Sequence, residues 1–245
     1  MTATPSDPTP NGNGPAPPPV DHRTRDDQVA WGVPSTGESR LPPLVAVLVV
    51  IGLQVALPNR VIASLGPRWL IPVVEGVLLV ALVITNPHRA DREQSNLRLL
   101  SLAMIAVITT ANILDLGELI RALLDRTHAG GRALVFASVP VWVTTVIAFG
   151  LWFWELDRGG VSARMLAVHR QPDFLFPQMS TPGSSPGWAP SFVDYLYTSF
   201  TNATAFSPTD TMPLTPWAKF LMMIESLASL LTVALVLARA VNILA

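Results

Sequence analysis

From Ala133 to Trp154 the chain runs for 22 residues without a charge. As a helix at about 1.5 Å per residue, this run is roughly 33 Å long, close to the bilayer's hydrocarbon core of about 30 Å. The rest of the chain fits a membrane setting. Only 13% of residues are charged, about half the usual share in a soluble domain. Eight of those charges fall in the first 40 residues, leaving the remainder poorer still. The expectation is a multi-pass protein of the cell membrane, with the lipid bilayer as its surroundings. There is no cysteine, which excludes disulfides, zinc–thiolate sites and cysteine nucleophiles. A net charge of −1 leaves no basic footprint for nucleic acid.

Residues 1–40 are rich in Pro, Gly, Asn, Thr and Asp. So little apolar area cannot offset chain entropy, and a disordered tail is predicted. Apolar runs then recur. The run 41–59 has one polar group inside it, Gln54, before its closing Asn59, with Pro42–Pro43 and Pro58 near its ends, which suit a helix start and stop. Residues 69–85 enclose Glu75, and 99–114 lead into a polar stretch, 115–126. These make three amino-terminal helices within 41–126. The 132–154 helix ends in Trp152-Phe153-Trp154, an expected interfacial belt. Residues 217–244 form the last helix, broken only by Lys219, Glu225 and Arg239. The predicted fold is all-α, with about five transmembrane helices.

The connection between the last two helices has another character. Residues 155–190 are loop-like. Ser191 and Asp194 are then spaced as a capping box, and Phe192, Tyr195, Leu196, Ser199, Phe200 and Ala203 follow at helical spacing. A helix over 191–204 is about 20 Å long, too short to cross. Followed by the Ser-Pro-Thr-Asp stretch, it predicts a re-entrant hairpin, which needs protein or a wet cavity around it.

The segment from Asp194 to Thr204, then Pro213-Leu214-Thr215-Pro216 and Ala218-Lys219, resembles the pore helix and flanks of the two-transmembrane pore domain of potassium channels. The last helix, with Glu225 and then 233–239, is similar to that family's inner helix, and 132–154 more loosely to its outer helix. The resemblance implies an ion channel-like protein, a homotetramer around a shared axis, and a monovalent cation as permeant partner. It assigns Thr204, Ala205, Phe206, Ser207, Pro208, Thr209 and Asp210 to a filter-like segment, and Ser229 to the inner helix's hinge position.

The filter-like segment departs from the family. Potassium filters line the axis with successive backbone carbonyls, and two of their residues are glycine, which tolerates conformations a Cβ disfavours. Here those positions are Ser207 and Thr209, with Pro208 between them. Proline fixes φ, removes an N–H and restricts the preceding residue. Potassium selectivity is therefore not expected. A helix C-terminus would still favour a cation through its partial negative charge. The alternative is a non-conducting assembly or regulatory protein that keeps the pore fold.

Acidic residues at membrane depth are functional candidates by default. Glu75, Asp115, Glu118 and Glu225 qualify. Asp115 and Glu118 share a helix face. They could serve a proton-coupled transporter, or sit at an interfacial helix end where Arg121 pairs with Asp125. Glu225 reads as a packing or subunit-contact group, and Glu75 as either buried hydrogen bonding or function. Arg89, Arg92 and Arg98 lie among Asp91, Glu93, Gln94, Ser95 and Asn96, a solvated loop rather than a voltage sensor. The four histidines show no metal-ligand spacing. No acid–base constellation or cofactor motif is present, so neither an enzyme nor a cofactor is expected. With the channel orientation and five crossings, the inner side carries 6 Lys and Arg and the outer side 10, the reverse of the positive-inside preference.

Overall fold

The computed structural model describes residues 38–56, 69–84, 93–124, 131–164, 171–180, 188–204 and 210–244. Its helices are α1 (Leu41–Ala56), α2 (Leu70–Ile84), α3 (Glu93–Leu124), α4 (Gly131–Leu156), α5 (Val161–Arg164), α6 (Pro177–Ser180), α7 (Phe192–Thr204) and α8 (Pro216–Leu244). Two short strands, β1 (Phe174–Leu175) and β2 (Met212–Pro213), pair antiparallel with Phe174 opposite Pro213.

Three segments are long and apolar enough to cross a membrane: Asn96–Ala122, Phe136–Gly159 and Pro216–Leu237. Helices α1 and α2 have 16 and 15 residues, about 24 and 22 Å, short of a bilayer core. The outward faces are apolar. Val45, Leu48, Val77, Val80, Phe136, Leu227, Leu230 and Leu237 are exposed. Polar groups turn inward instead: Gln54, Glu75, Asn112, Thr145, Glu225 and Ser229 are buried. Lipid as the outer solvent accounts for this inversion, because tails accept a bare leucine and reject an unpaired polar group.

Helix α4 is the hub, packing against α1, α3, α7 and α8. Val47, Val50, Leu79, Ile105, Ile108, Leu151 and Phe153 form the buried core around it. Threonines stitch α3 to α4. Asn112 donates to Thr145 Oγ1 at 2.7 Å, and Trp152 Nε1 donates to Thr109 Oγ1 at 2.9 Å. Such interhelical bonds hold apolar-coated helices together where the hydrophobic effect cannot. Between α1 and α2, Gln54 donates to Glu75 Oε1 at 2.9 Å. Glu75 is thus buried and hydrogen-bonded.

The approach of α4 to α7 requires a glycine. A Cβ on Gly150 would lie 3.1 Å from Leu196 Cα and 3.2 Å from Leu196 Cδ1. Backbone cannot yield as a flexible side chain can. Gly150→Val is expected to destabilise the protein by about 1–3 kcal/mol, with Gly150→Ala milder. A lower thermal unfolding midpoint in detergent measures it, and an unchanged midpoint would refute this packing account.

Several expectations change. The tail does not extend through residue 40: Glu38 is held inside the protein, since Arg164 donates to it through Nε at 2.8 Å and Nη2 at 2.9 Å. Of the three aromatics expected as an interfacial belt, Trp152 is half-buried and the other two turn inward. Phe153 and Trp154 are buried, with Phe153 against Phe174 and Trp154 Nε1 donating to Glu38 at 2.7 Å. The predicted loop containing Arg98 is helical from Glu93, and the polar stretch after Leu114 continues α3 to Leu124. Arg121 meets Glu118 at 3.0 Å, one turn back, while Asp125 lies outside the described residues. The 155–190 loop contains a 3-10 turn (Asp157–Gly159), α5, β1 and α6. Helices α4, α7 and α8 begin or end within two residues of the expected bounds.

Candidate functional site

Helix α7 starts beside the end of α4. The Trp154 and Phe192 rings meet edge-on at 5.9 Å. Ser191 gives the first turn half of a capping box. Its N–H and its hydroxyl both donate to Asp194 Oδ2, each at 2.8 Å. From there α7 descends into the bundle. Ser199 Oγ donates to the Val146 carbonyl at 2.7 Å. One turn further, Ser229 Oγ donates to the Ala203 carbonyl at 2.5 Å and accepts from Trp142 Nε1 at 2.8 Å. Trp142 lies near the middle of α4 and Ser229 near the middle of α8. The short helix therefore stops halfway along its two long neighbours. The chain returns by Thr211, whose hydroxyl receives a 3.3 Å bond from Thr198, to β2 at the end where α7 began.

Glu225 is wholly buried behind α7. Ser199 Oγ reaches its Oε1, and Asn202 Nδ2 donates to Oε2 at 2.6 Å. Asn202 also donates to the Met222 carbonyl at 2.9 Å and accepts from Ser226 Oγ at 3.0 Å. Ser199 has one hydroxyl proton and two acceptors within reach, the Val146 carbonyl and Glu225. A proton on Glu225 satisfies both contacts, since the acid then donates to Ser199 while Ser199 donates to Val146. The group fixes the carboxyl-terminal half of α7 against α8. Helix C-termini carry partial negative charge, and α7 ends at Thr204. Thr204 itself is half-buried, with Oγ1 donating to the Thr201 carbonyl at 3.0 Å.

A second polar group locks the end of the bundle where α7 starts. Arg164 grips Glu38 with two parallel bonds and also donates from Nη1 to the carbonyls of Trp154 (2.7 Å) and Asp157 (3.0 Å). Its guanidinium carbon lies 5.3 Å from the Tyr195 ring centre. Tyr195 donates to Asp157 Oδ2 at 2.6 Å. Burial pushes the Tyr195 phenol well above its usual pKa, so it remains the donor. The Asp173 N–H donates to Asp157 Oδ1 at 2.8 Å. Asp173 in turn accepts from the Arg158 N–H at 2.8 Å and from Trp217 Nε1 at 2.9 Å. Arg158 adopts the left-handed conformation, φ 54°, and those bonds hold it there. Gly160 follows at φ 100°, where a Cβ would come within 2.9 Å of the Glu155 carbonyl. One network thus ties residue 38, the end of α4, the connection after it, α7 and the start of α8.

Among the residues expected at the site, the structure brings Thr204, Glu225 and Ser229 together around the lower half of α7. Asp210 is exposed just before Thr211. Ala205, Phe206, Ser207, Pro208 and Thr209 lie outside the described residues. Glu75 is on α2 facing Gln54 of α1, and Asp115 and Glu118 are on α3. Ser229 occupies the expected hinge position, yet it is bonded to both Trp142 and Ala203. Trp142, Ser199, Asn202 and Ser226 are added by the structure. In α7 and α8 the signal was an i, i+3 pair of small polar residues, Ser199 with Asn202 and Ser226 with Ser229; Trp142 carried none. Glu38, Asp157, Arg164 and Asp173 carried no local signal, because Glu38 and Arg164 are 126 positions apart. Among the described residues no cluster of His, Asp or Glu is placed to hold a metal. Comparison with protein-family models, curated proteins and solved structures found no match.

Proposed function

We propose that the chain is an ion channel-like integral membrane protein of the cell membrane, in which α4, α7 and α8 form the pore unit and 204–210 the filter-like segment. One observation carries this reading. A 13-residue helix, too short to cross, ends at mid-length of two helices long enough to do so, with its last turn held by Asn202, Glu225 and Ser229. An ion at that depth has lost its hydration water, and a helix C-terminus offers partial negative charge in return. The pore is completed by four copies, and the permeant ion is a monovalent cation without strong preference for potassium, because Ser207, Pro208 and Thr209 stand where glycine-based filters need other residues.

The test is the full-length protein in liposomes under sodium and potassium gradients. Cation flux of similar size for both ions is expected. No flux of cations or anions in either direction would overturn the conducting reading. The sequence Ser207-Pro208-Thr209 also supports a second reading, a non-conducting assembly or regulatory protein. That reading expects stable oligomers with no flux, and no change when the triplet is replaced by Gly-Tyr-Gly.

A further inference from the structure

Between the amino-terminal helices and the end of α4 lies a cavity of about 60 Å³. Its floor is apolar, formed by Val47, Leu82, Met104 and Ile105, and Arg40 and Arg98 stand in its wall. Glu155, buried, also lines it. Among the described residues its carboxyl takes part in no hydrogen bond, although the guanidiniums of Arg164, Arg98 and Arg40 act on it. Arg98 Nε comes close to Gly160, 3.4 Å from where a Cβ would be, so α3 closes the cavity against the turn after α4.

Of the charged residues that line the cavity, Arg40 and Arg98 are basic and Glu155 is acidic. Arg164 is paired with Glu38, and Arg158 lies 3.6 Å from Asp157, with Asp173 beside them. Helix α1 begins at Leu41, beside Arg40, and adds the partial positive charge of its N-terminus. The lining therefore sets two arginines against one buried carboxyl, over an apolar floor. It sits where α1 and α3 begin and α4 ends, the level of a bilayer interface.

We propose that this cavity binds an anionic phospholipid carrying a hydroxyl-bearing headgroup. The phosphate meets Arg40 and Arg98, a headgroup hydroxyl donates to Glu155, and the start of an acyl chain lies on Val47, Leu82 and Met104. Such a lipid would bridge the amino-terminal helices to the pore unit. The site does not rest on the channel reading, only on the membrane setting.

The full-length protein in mixed micelles with equal phosphatidylglycerol and phosphatidylcholine tests this, with bound lipid counted by native mass spectrometry. Phosphatidylcholine has the phosphate but a quaternary ammonium and no hydroxyl donor. Retention of phosphatidylglycerol is expected to exceed it on the order of tenfold, given two arginines near the interface. The Arg40→Gln/Arg98→Gln variant should lose that preference, and Arg121→Gln, at the far end of α3, should keep it. Equal retention of both lipids by the wild type overturns the proposal, as does a preference that survives in the double variant. Glycerol 3-phosphate should not displace the lipid. Displacement at equal concentration would assign the cavity to a soluble phosphate ester and overturn the lipid assignment. If the double variant does not fold, the wild-type comparison and the displacement arm decide the matter without it.

Discussion

Glu225→Ala is expected to abolish flux and to lower the stability of the protein by several kcal/mol, on the order of 2–4, because it strands buried partners rather than merely removing a contact. Ser199 and Asn202 both reach the Glu225 carboxyl, and Ser226 reaches it through Asn202. With the carboxyl gone, Asn202 keeps the Met222 carbonyl and Ser226 but has one amide proton unpaired, and the lower half of α7 loses one of its ties to α8. Glu225→Gln separates charge from shape. Its amide can donate to Ser199 as the protonated acid would, so the midpoint should fall by much less and flux should persist. The two readouts are the thermal unfolding midpoint in detergent and flux in liposomes. A glutamine variant as damaged as the alanine variant would show that a carboxylate, not a neutral acid, is required. An alanine variant with a wild-type midpoint would remove Glu225 from the anchoring of α7.

Arg164→Ala should be more damaging to the fold than to any local contact. Side-chain exposure is only 2% for Arg164 and 4% for Glu38. Removing one member of a buried pair leaves the other as an uncompensated charge, typically costing about 3–5 kcal/mol. Here the Trp154 carbonyl loses its Arg164 partner as well, while the Asp157 carbonyl keeps only the Gly160 N–H. Arg164→Lys should rescue little, since an ammonium cannot make the two parallel bonds of the guanidinium. Pairing Arg164→Met with Glu38→Leu should recover most of the loss, because no charge is then left buried. Chemical denaturation of the four proteins in a double-mutant cycle measures the coupling. Additive losses would mean that Glu38 and Arg164 do not depend on each other, and the lock at that end of the bundle would fail with them.

Helices were legible wherever the chain was uniformly apolar and long. The run from Ala133 to Trp154 could be placed because no soluble fold leaves so many residues uncharged, and α4 extends only two residues beyond it at each end. Helix α7 was legible for the opposite reason. Ser191, Asp194 and the spacing of Phe192, Tyr195 and Ser199 are local signals that do not depend on what packs against them. The fate of the polar residues was not legible. Trp154 was expected at a lipid–water interface, as tryptophan's amphipathic ring suggests. It is buried instead because Glu38 supplies its N–H with an acceptor 116 positions away. Arg121 meets Glu118, one turn back, a pairing that spacing alone left open.

The same division runs through the whole protein. Composition and hydrophobic runs determined by themselves that this chain has apolar helices and a short polar-tipped one, since transfer free energy and helix periodicity are properties of a segment. Where the short helix stops was decided only in the tertiary structure. Its end at mid-length of α4 and α8 depends on Ala203, Ser229 and Trp142 meeting, and on Glu225 facing Ser199 and Asn202. Those are contacts between residues 23 to 87 positions apart. Polar atoms inside an apolar bundle must find partners wherever the fold brings them, and no local pattern encodes which partner that is.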